Sequence, residues 1–570
     1  MQNQTKNCQN CKNDFTIEPD DFSFYEKINV PPPTFCPECR AVRRLTFRNE
    51  RVWYRRTCDA TNQPILSIFA PDSPYIVYEE KYWKSDAWDP MDYGRQYDSG
   101  RSFFEQLDEL FKAVPHPNMT QKNNVNCEYT NYSLNGKNCY YCASFDEVED
   151  SSYCFTNNTK IKNCLDLHVS SESEYSYELI DSKKCNRVVY AQNCESCVNS
   201  VLLYDCRNCS DCFGCVGLRN KQYCVFNQQY DKETYKSTIS QLWDGGYSNK
   251  EQALNAFNEL KLQVPHKFAN ITNSNDVSGD NISNARNCHY CYVARENVEN
   301  CKYCYRVWEN TKDGWDTYCA WKGSELFYEA HSIVGQRIFF SLYVWGGHDV
   351  EYSYNCFDCN NIFGCVGLRN KSYCAFNTQY TKEEYTELVT KIKEDMLTRK
   401  EYGEFLPTSI SPFAYNETIA QDYFPLSEDE IKQKGYQFKI PEIKKYNISI
   451  INENIPENIR DVDESIINEI IECFHKGNCS DLCTTAFKIT KEELQFYKNL
   501  NLPLPRLCPS CRHFRRVNLK NPMKLWNRAC MCDKSNHDHG DKCKNEFKTP
   551  YSSDRPEIIY CETCYQKEIL

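Results

Sequence analysis

The sequence predicts a mainly β protein with short helices, built as a duplicated, Cys-rich, parallel β-solenoid-like core flanked by N- and C-terminal zinc ribbons. Three observations predict it. The segment CRNCSDCFGCVGLRNKQYCVFNQQY at 206–230 returns at 356–380 as CFDCNNIFGCVGLRNKSYCAFNTQY, so Gly214, Cys215, Val216 and Gly217 match Gly364, Cys365, Val366 and Gly367. CxxC pairs with metal-ligand spacing stand near both ends of the chain. Between them, short runs of Tyr, Val, Cys and Ser are broken by Asn, Asp and Gly, and cysteines such as Cys142 and Cys154, or Cys197 and Cys209, recur at a regular interval. Self-similar short strands with turn residues at fixed spacing describe a coil whose rungs stack like on like.

Taken in order, residues 1–57 form the first ribbon. Cys8, Cys11, Cys36 and Cys39 lie in two CxxC knuckles separated by a strand-rich stretch holding Phe15, Ile17, Phe22 and Phe24. Four thiolates satisfy tetrahedral Zn²⁺, and each CxxC turn aims two sulfurs at one point. Residues 58–100 are a degenerate second ribbon and connector. Arg56-Thr-Cys58 and the segment IVYEEKY at 76–82 align with Arg528-Ala-Cys530 and IIYCETC at 558–564, with Glu79 and Tyr82 in place of two thiols. Residues 101–250 and 251–402 are the two repeats. Each reads as an amphipathic helix stopped by Val-Pro-His (104–116 and 257–266), a Cys-rich stretch, the shared signature, and a second helix capped by Asp231 or Thr381.

Residues 403–458 read as a Pro/aromatic connector wrapped over a surface, running into a linker, and 459–570 as a double zinc ribbon entered through an amphipathic helix at 463–474. Its first site takes Cys479, Cys483, Cys508 and Cys511, with Cys473 nearby as a competitor. Its second takes Cys561 and Cys564 with two of Cys530, Cys532 and Cys543; Cys532 and Cys543 are preferred because a long hairpin between them can close the site. His537 and His539 read as solvated turn residues of that hairpin. The expected cofactor content is therefore about three Zn²⁺ ions.

The interior cysteines read as core. Laid on the second repeat without gaps, Cys212 falls on Ile362, Cys194 on Val344, and Cys185 and Cys197 on Gly335 and Gly347. A metal site does not survive exchange of a thiolate for Ile or Val, whereas a buried position does, and free cysteine behaves as a small hydrophobe.

The chain has 37 cysteines in 570 residues, 26% charged residues and a net charge of −12. An odd cysteine count and an opening without an apolar leader predict reduced thiols in a cytoplasmic protein. The most apolar run, at 333–344, is interrupted by Gln336 and Arg337, so no membrane span is expected. The acidic balance argues against a polyanion-coated protein, yet a basic-aromatic segment follows each CPxC. One holds Arg40, Arg43, Arg44, Arg48, Trp53, Tyr54 and Arg55; the other Arg512, Arg515, Arg516, Lys520, Trp526 and Arg528. Guanidinium groups neutralise phosphate and rings stack on unpaired bases, the pairing used for single-stranded nucleic acid. The competing reading pairs these arginines with the chain's own carboxylates and ties the ribbons to the core.

The expected function is thus a non-enzymatic zinc-binding protein docking single-stranded nucleic acid or a ribonucleoprotein partner. The alternatives are a protein-interaction scaffold working through a protein partner, and a carbohydrate-active β-helix enzyme. The last requires convergent carboxylates, for which Asp146, Glu147, Glu149 and Asp150 are the one acidic cluster singled out. No catalytic residue is predicted: the chain shows no nucleotide loop, no Gly-rich strand–helix turn and no Ser-His-Asp set.

CPECRAVRR, the FGCVGLRNK signature, SPFAYNETIAQDYFPL and DRPEIIYCETCYQ together resemble an uncharacterised family of Cys-rich zinc-ribbon proteins frequent in bacteria with reduced genomes. The resemblance spans nearly the whole chain. It implies a bacterial cytosol and zinc binding, and no established activity; members are sometimes labelled CoA-transferases, a label that nothing in these residues supports.

Overall fold

The computed structural model describes residues 2–441, 445–537 and 539–569. More of them lie in strands than in helices. The chain divides into two compact units, Met1–Thr120 with Ile271–Lys439, and Gln121–Asn270 with Ile440–Leu570. Among the described residues no helix is long and apolar enough to cross a membrane.

The core of each unit is a stack of short parallel strands. In the first stack Asn186 pairs with Val198, Val188 with Ser200 and Ala191 with Leu203, an interval of 12 residues. The backbone repeats in triplets: Asn199, Leu202, Asp205, Asn208 and Asp211 all have φ between 47° and 58°. The residue after each left-handed one, here Ser200, Leu203, Cys206, Cys209 and Cys212, is buried. A 12-residue rung thus holds four corners and four inward side chains. The interior of so tight a coil is filled largely by small side chains, Cys above all, with Leu, Ile and Phe in places. Asn and Asp suit the corners because their short polar side chains tolerate left-handed backbone, and they hydrogen-bond from rung to rung. Asn126 Nδ2 donates to Asn138 Oδ1 (2.8 Å), and Asn138 Nδ2 to Asp150 Oδ1 (2.7 Å).

The inward thiols serve the backbone. The single Cys206 thiol proton can be shared between Tyr204 O and Cys215 O on the next rung, both 3.5 Å from Sγ. Ser200 Oγ donates to Val198 O (2.7 Å) and accepts from the Cys212 N–H (3.1 Å). At the signature the gapless overlay of the repeats holds in space: Cys212 pairs with Cys224, and Ile362 with Cys374. In the second stack several rungs are one residue longer. Ala285 pairs with Val298 and Lys312 with Glu325, and the extra residue sits at a corner with two successive left-handed residues, Glu296 and Asn297 or Glu309 and Asn310. Where a large side chain enters, its neighbour must shrink: Phe327 pairs with Gly314, and a Cβ on Gly314 would lie 1.8 Å from the ring.

The helices pair with the stacks otherwise than the expected boundaries 101–250 and 251–402 imply. The helix Phe103–Ala113 belongs to the unit of the second stack, where Phe103 packs on Phe363 and Phe376 at 5.4 and 5.3 Å. The helix Tyr247–Gln263 belongs to the unit of the first, and Phe257 shares a core with Phe213. The signature phenylalanines are an apolar surface that either helix fits, and sequence adjacency does not decide which. The Val-Pro-His turns are built alike. His116 Nε2 lies 2.7 Å from Phe111 O and His266 Nε2 lies 2.8 Å from Lys261 O. Burial pushes both imidazoles below their ordinary pKa, His116 to about 4. Each turn pairs with the segment that the ribbon alignment matched: His116 with Val77, and His266 with Ile559.

After each signature the expected helices form, capped by Asp231 (Lys232–Leu242) and by a Thr381–Glu384 capping box (Lys382–Thr398). The connector is ordered, burying Phe413, Tyr415 and Ile419, with Asp422 paired to Arg51 at 2.7 Å. Of the expected linker, residues 442–444 lie outside the described residues. The helix expected at 463–474 does not form. A 3-10 turn, Glu464–Asn468, gives way to extended chain that pairs Ile471 with Phe487, because an extended backbone turns Ile471 and Cys473, two residues apart, to the same buried side.

Candidate metal centres and arginine clamps

Each ribbon brings together a turn and a helix start. Cys8 and Cys11 sit in the turn between strands Gln4–Asn7 and Asp14–Ile17, and Cys36 immediately precedes the helix Pro37–Leu45. Phe22 and Phe24, expected in strands, lie in a helix, Pro19–Lys27. Cys508 and Cys561 likewise precede helices Pro509–Asn518 and Glu562–Ile569. A helix N-terminus favours a thiolate.

Three sets of four thiols converge: Cys8, Cys11, Cys36 and Cys39; Cys473, Cys483, Cys508 and Cys511; and Cys530, Cys543, Cys561 and Cys564, each with all Sγ atoms within 4.8 Å of one another. The sulfur–sulfur contacts run from 3.7 Å for Cys11–Cys36 to 3.9 Å for Cys473–Cys511 and Cys543–Cys561 and 4.0 Å for Cys483–Cys508. A tetrahedron with Zn–S bonds of about 2.3 Å has edges of about 3.8 Å, so the thiols present fit the metal. Within a set, hydrogen bonding between neighbouring thiols holds some down and pushes others up, Cys36 and Cys473 among the raised. Contact with Cys36, with Asn10 also donating at 3.3 Å, holds the Cys39 thiol down to about 5, and contact with Cys473 holds Cys483 down to about 6.

Two expected ligands are corrected. Cys473, not Cys479, completes the second set, and Cys530, not Cys532, the third. One hydrogen bond explains both. The backbone N–H at the start of the second knuckle donates to the first ligand of each set: Cys36 to Cys8 Sγ (3.2 Å), Cys508 to Cys473 Sγ (3.3 Å) and Cys561 to Cys530 Sγ (3.2 Å). Even the degenerate module keeps it, with Glu79 N donating to Cys58 Sγ at 3.2 Å. The alignment of Cys58 with Cys530 was the signal for the third set. Cys479 instead joins His475, Asp481 and Cys511 in a neighbouring group, its Sγ 3.8 Å from Cys511 Sγ.

The arginines of the basic segments face inward onto carboxylates. Within one unit Arg40 pairs with Asp316 (2.8 Å), and Arg43 and Arg44 with Glu329; Arg43 also reaches Glu404 (2.8 Å). Within the other, Arg512 pairs with Asp166 (2.9 Å), Arg515 with Glu178 (2.7 Å), and Arg516 with Asp166 and Glu178 (2.8 and 2.9 Å). The four acids are left-handed corner residues on successive rungs, Asp166 and Glu178 in one stack and Asp316 and Glu329 in the other. Burial pushes the Asp316 carboxyl up to about 6 against the pull of Arg40 and Arg44. Glu329, also buried, is held below its ordinary value by Arg44, Arg43 and Arg40.

Most of the residues expected to meet nucleic acid are therefore turned onto the protein's own groups, each within its own unit. Arg40, Arg43, Arg44, Arg48, Arg512 and Arg516 are buried, Arg48 pairs with Glu50 (2.6 Å), and Lys520 pairs with Asp181 (2.8 Å). Tyr54 hydrogen-bonds Glu417, Arg528 donates to Ser552 O, Trp53 and Trp526 are half-buried, and Arg55 is exposed. Sequence reasoning missed the acid corners. Asp166 falls on Asp316 in the gapless overlay, but the longer rung shifts Glu178 one place from Glu329.

No family model and no curated protein matches the chain. Among solved structures it matches a Desulfovibrio desulfuricans G20 chain described as "putative acetyltransferase", at 10% identity over 47% of this chain and 71% of that one; with a TM-score of 0.09 that match carries no argument.

Proposed function

We propose that the protein is a non-enzymatic, zinc-stabilised β-solenoid that serves as a protein-interaction scaffold, its ribbons clasping the core rather than docking nucleic acid. The observation that carries this reading is the pair of buried arginine clamps, which place on internal carboxylates the cations a phosphate backbone would need. The acidic cluster supports it as well. Glu149 pairs with Lys137 and Lys162 (2.6 and 3.1 Å), which hold its carboxyl low, while Asn135 donates to Asp146 and Asn138 to Asp150. A glycosidic acid needs the opposite, a carboxyl kept protonated.

The test is fluorescence anisotropy with single-stranded RNA and DNA at low salt on the zinc-loaded protein. No binding is expected, and Arg43→Glu with Arg44→Glu should detach the first ribbon. A salt-sensitive affinity abolished by those substitutions in a folded protein would restore the nucleic-acid reading.

A further inference from the structure

Cys532, left out of the third set of thiols, has partners of its own. Its Sγ lies 3.1 Å from His537 Nδ1 and 3.3 Å from His539 Nε2, and these three atoms together with Cys564 Sγ all lie within 4.8 Å of one another. Zn–S and Zn–N bonds of about 2.3 and 2.0 Å put tetrahedral S···N edges at about 3.5 Å. The two histidines are not the solvated turn residues expected from the sequence: His537 is only 4% exposed and Cys532 is fully buried. The far nitrogen of His537, Nε2, faces the Glu568 carboxylate at 3.7 Å, on the side where a metal-ligating imidazole takes an outer carboxylate partner. Glu568 is in turn held by Lys534 at 2.9 Å.

Cys564 belongs to both groups. We propose that the C-terminal ribbon is a binuclear centre, in which a second zinc ion bound by Cys532, His537 and His539 shares the Cys564 thiolate with the ion of Cys530, Cys543 and Cys561. Charge favours the pair. One Zn²⁺ with four thiolates carries −2 in a buried site beside a fifth thiol, whereas two ions with five thiolates carry −1. The inference rests on the zinc reading only in that the neighbouring four-thiol set must itself hold metal.

The experiment is ¹¹³Cd NMR of the full chain loaded with cadmium, with metal content measured in parallel. The expected spectrum contains an S₂N₂ resonance scalar-coupled to an S₄ resonance through Cys564. His537→Ala with His539→Ala should remove the S₂N₂ signal and one equivalent of metal while the S₄ signals persist. Cys564→Ser should disturb both ions. Resonances of S₄ type alone in the wild-type protein, or an S₂N₂ signal and metal content unchanged by the histidine substitutions, would overturn the proposal while leaving the four-thiol sites standing. No S₄ signal at all would instead overturn the zinc reading on which it rests. The wild-type spectrum decides the matter even if a variant fails to fold.

Discussion

Glu329→Gln is the sharpest perturbation of the arginine clamp. Glu329 is fully buried, accepts from Arg43 and Arg44, and lies 3.8 Å from Arg40. The amide preserves shape but removes the charge. Arg43 then retains Glu404, whereas Arg40 and Arg44 are left to share Asp316, which lies 3.6 Å from Arg44. Breaking a buried pair from one side costs about 3–5 kcal/mol, because the remaining charge stays desolvated. With a urea slope of about 2–3 kcal/mol per M, the unfolding midpoint of this unit should fall by about 1–2 M. Hydrogen exchange read by mass spectrometry should place the loss in the helix Pro37–Leu45. The control is Glu149→Gln, which breaks a solvent-screened surface ion pair and should leave the midpoint nearly unchanged. A Glu329→Gln protein that unfolds with the control, and whose helix keeps its protection, would refute the clamp.

The ligand assignment predicts that Cys473→Ser and Cys530→Ser each abolish the S₄ cobalt absorption of their own set, whereas Cys479→Ser leaves it intact. Cys212→Val should cost about 1 kcal/mol or less, since its counterpart is Ile362, while Gly314→Ala should cost about 1–3 kcal/mol by driving a methyl into Phe327; thermal denaturation compares the two. His116 titrates near 4 when folded and near 6.5 when unfolded. The unfolded state therefore takes up the proton first, and stability present above pH 6.5 falls as pH drops toward 4, by about 3 kcal/mol; His116→Gln should flatten that limb of the pH–stability curve. Strong chelators should release the ribbons to protease while far-ultraviolet circular dichroism keeps the parallel-strand signal of the stacks.

How much could be read beforehand depended on whether the signal was local. The 206–230 and 356–380 duplication and the CxxC pairs are contiguous patterns, and they pointed to the stacks and to ten of the twelve thiols that converge in the three sets. Of the two departures, Cys532 went against the alignment of Cys58 with Cys530, and Cys479 arose where spacing is ambiguous. Cys479 and Cys473 both lie upstream of Cys483, and only the N–H donor at Cys508 chooses between them. The exchange of Cys212 for Ile362 identified an inward position, but not why cysteine fills so many of them. That reason lies in left-handed corners at every third residue, which no hydrophobic period announces, since Leu202 and Tyr190 occupy such corners beside Asn199 and Asn193. The clamp was invisible for another reason: a guanidinium carries no mark of its distant partner.

That distance also sets a schedule for synthesis. Arg44 and Glu329 are 285 residues apart, and the intervening chain includes the whole of Gln121–Asn270, which belongs to the other unit. At about 5–20 residues per second, the nascent N-terminal helix waits about 15–60 s for its carboxylates. During that interval three adjacent guanidinium groups and the apolar face around Phe24 stand unpartnered outside the ribosome. A metal held by Cys8, Cys11, Cys36 and Cys39 would be a stabilising element available early, since all four emerge within the first 39 residues. On the proposed zinc reading, metal supply during translation would then bear on how much of the chain escapes aggregation.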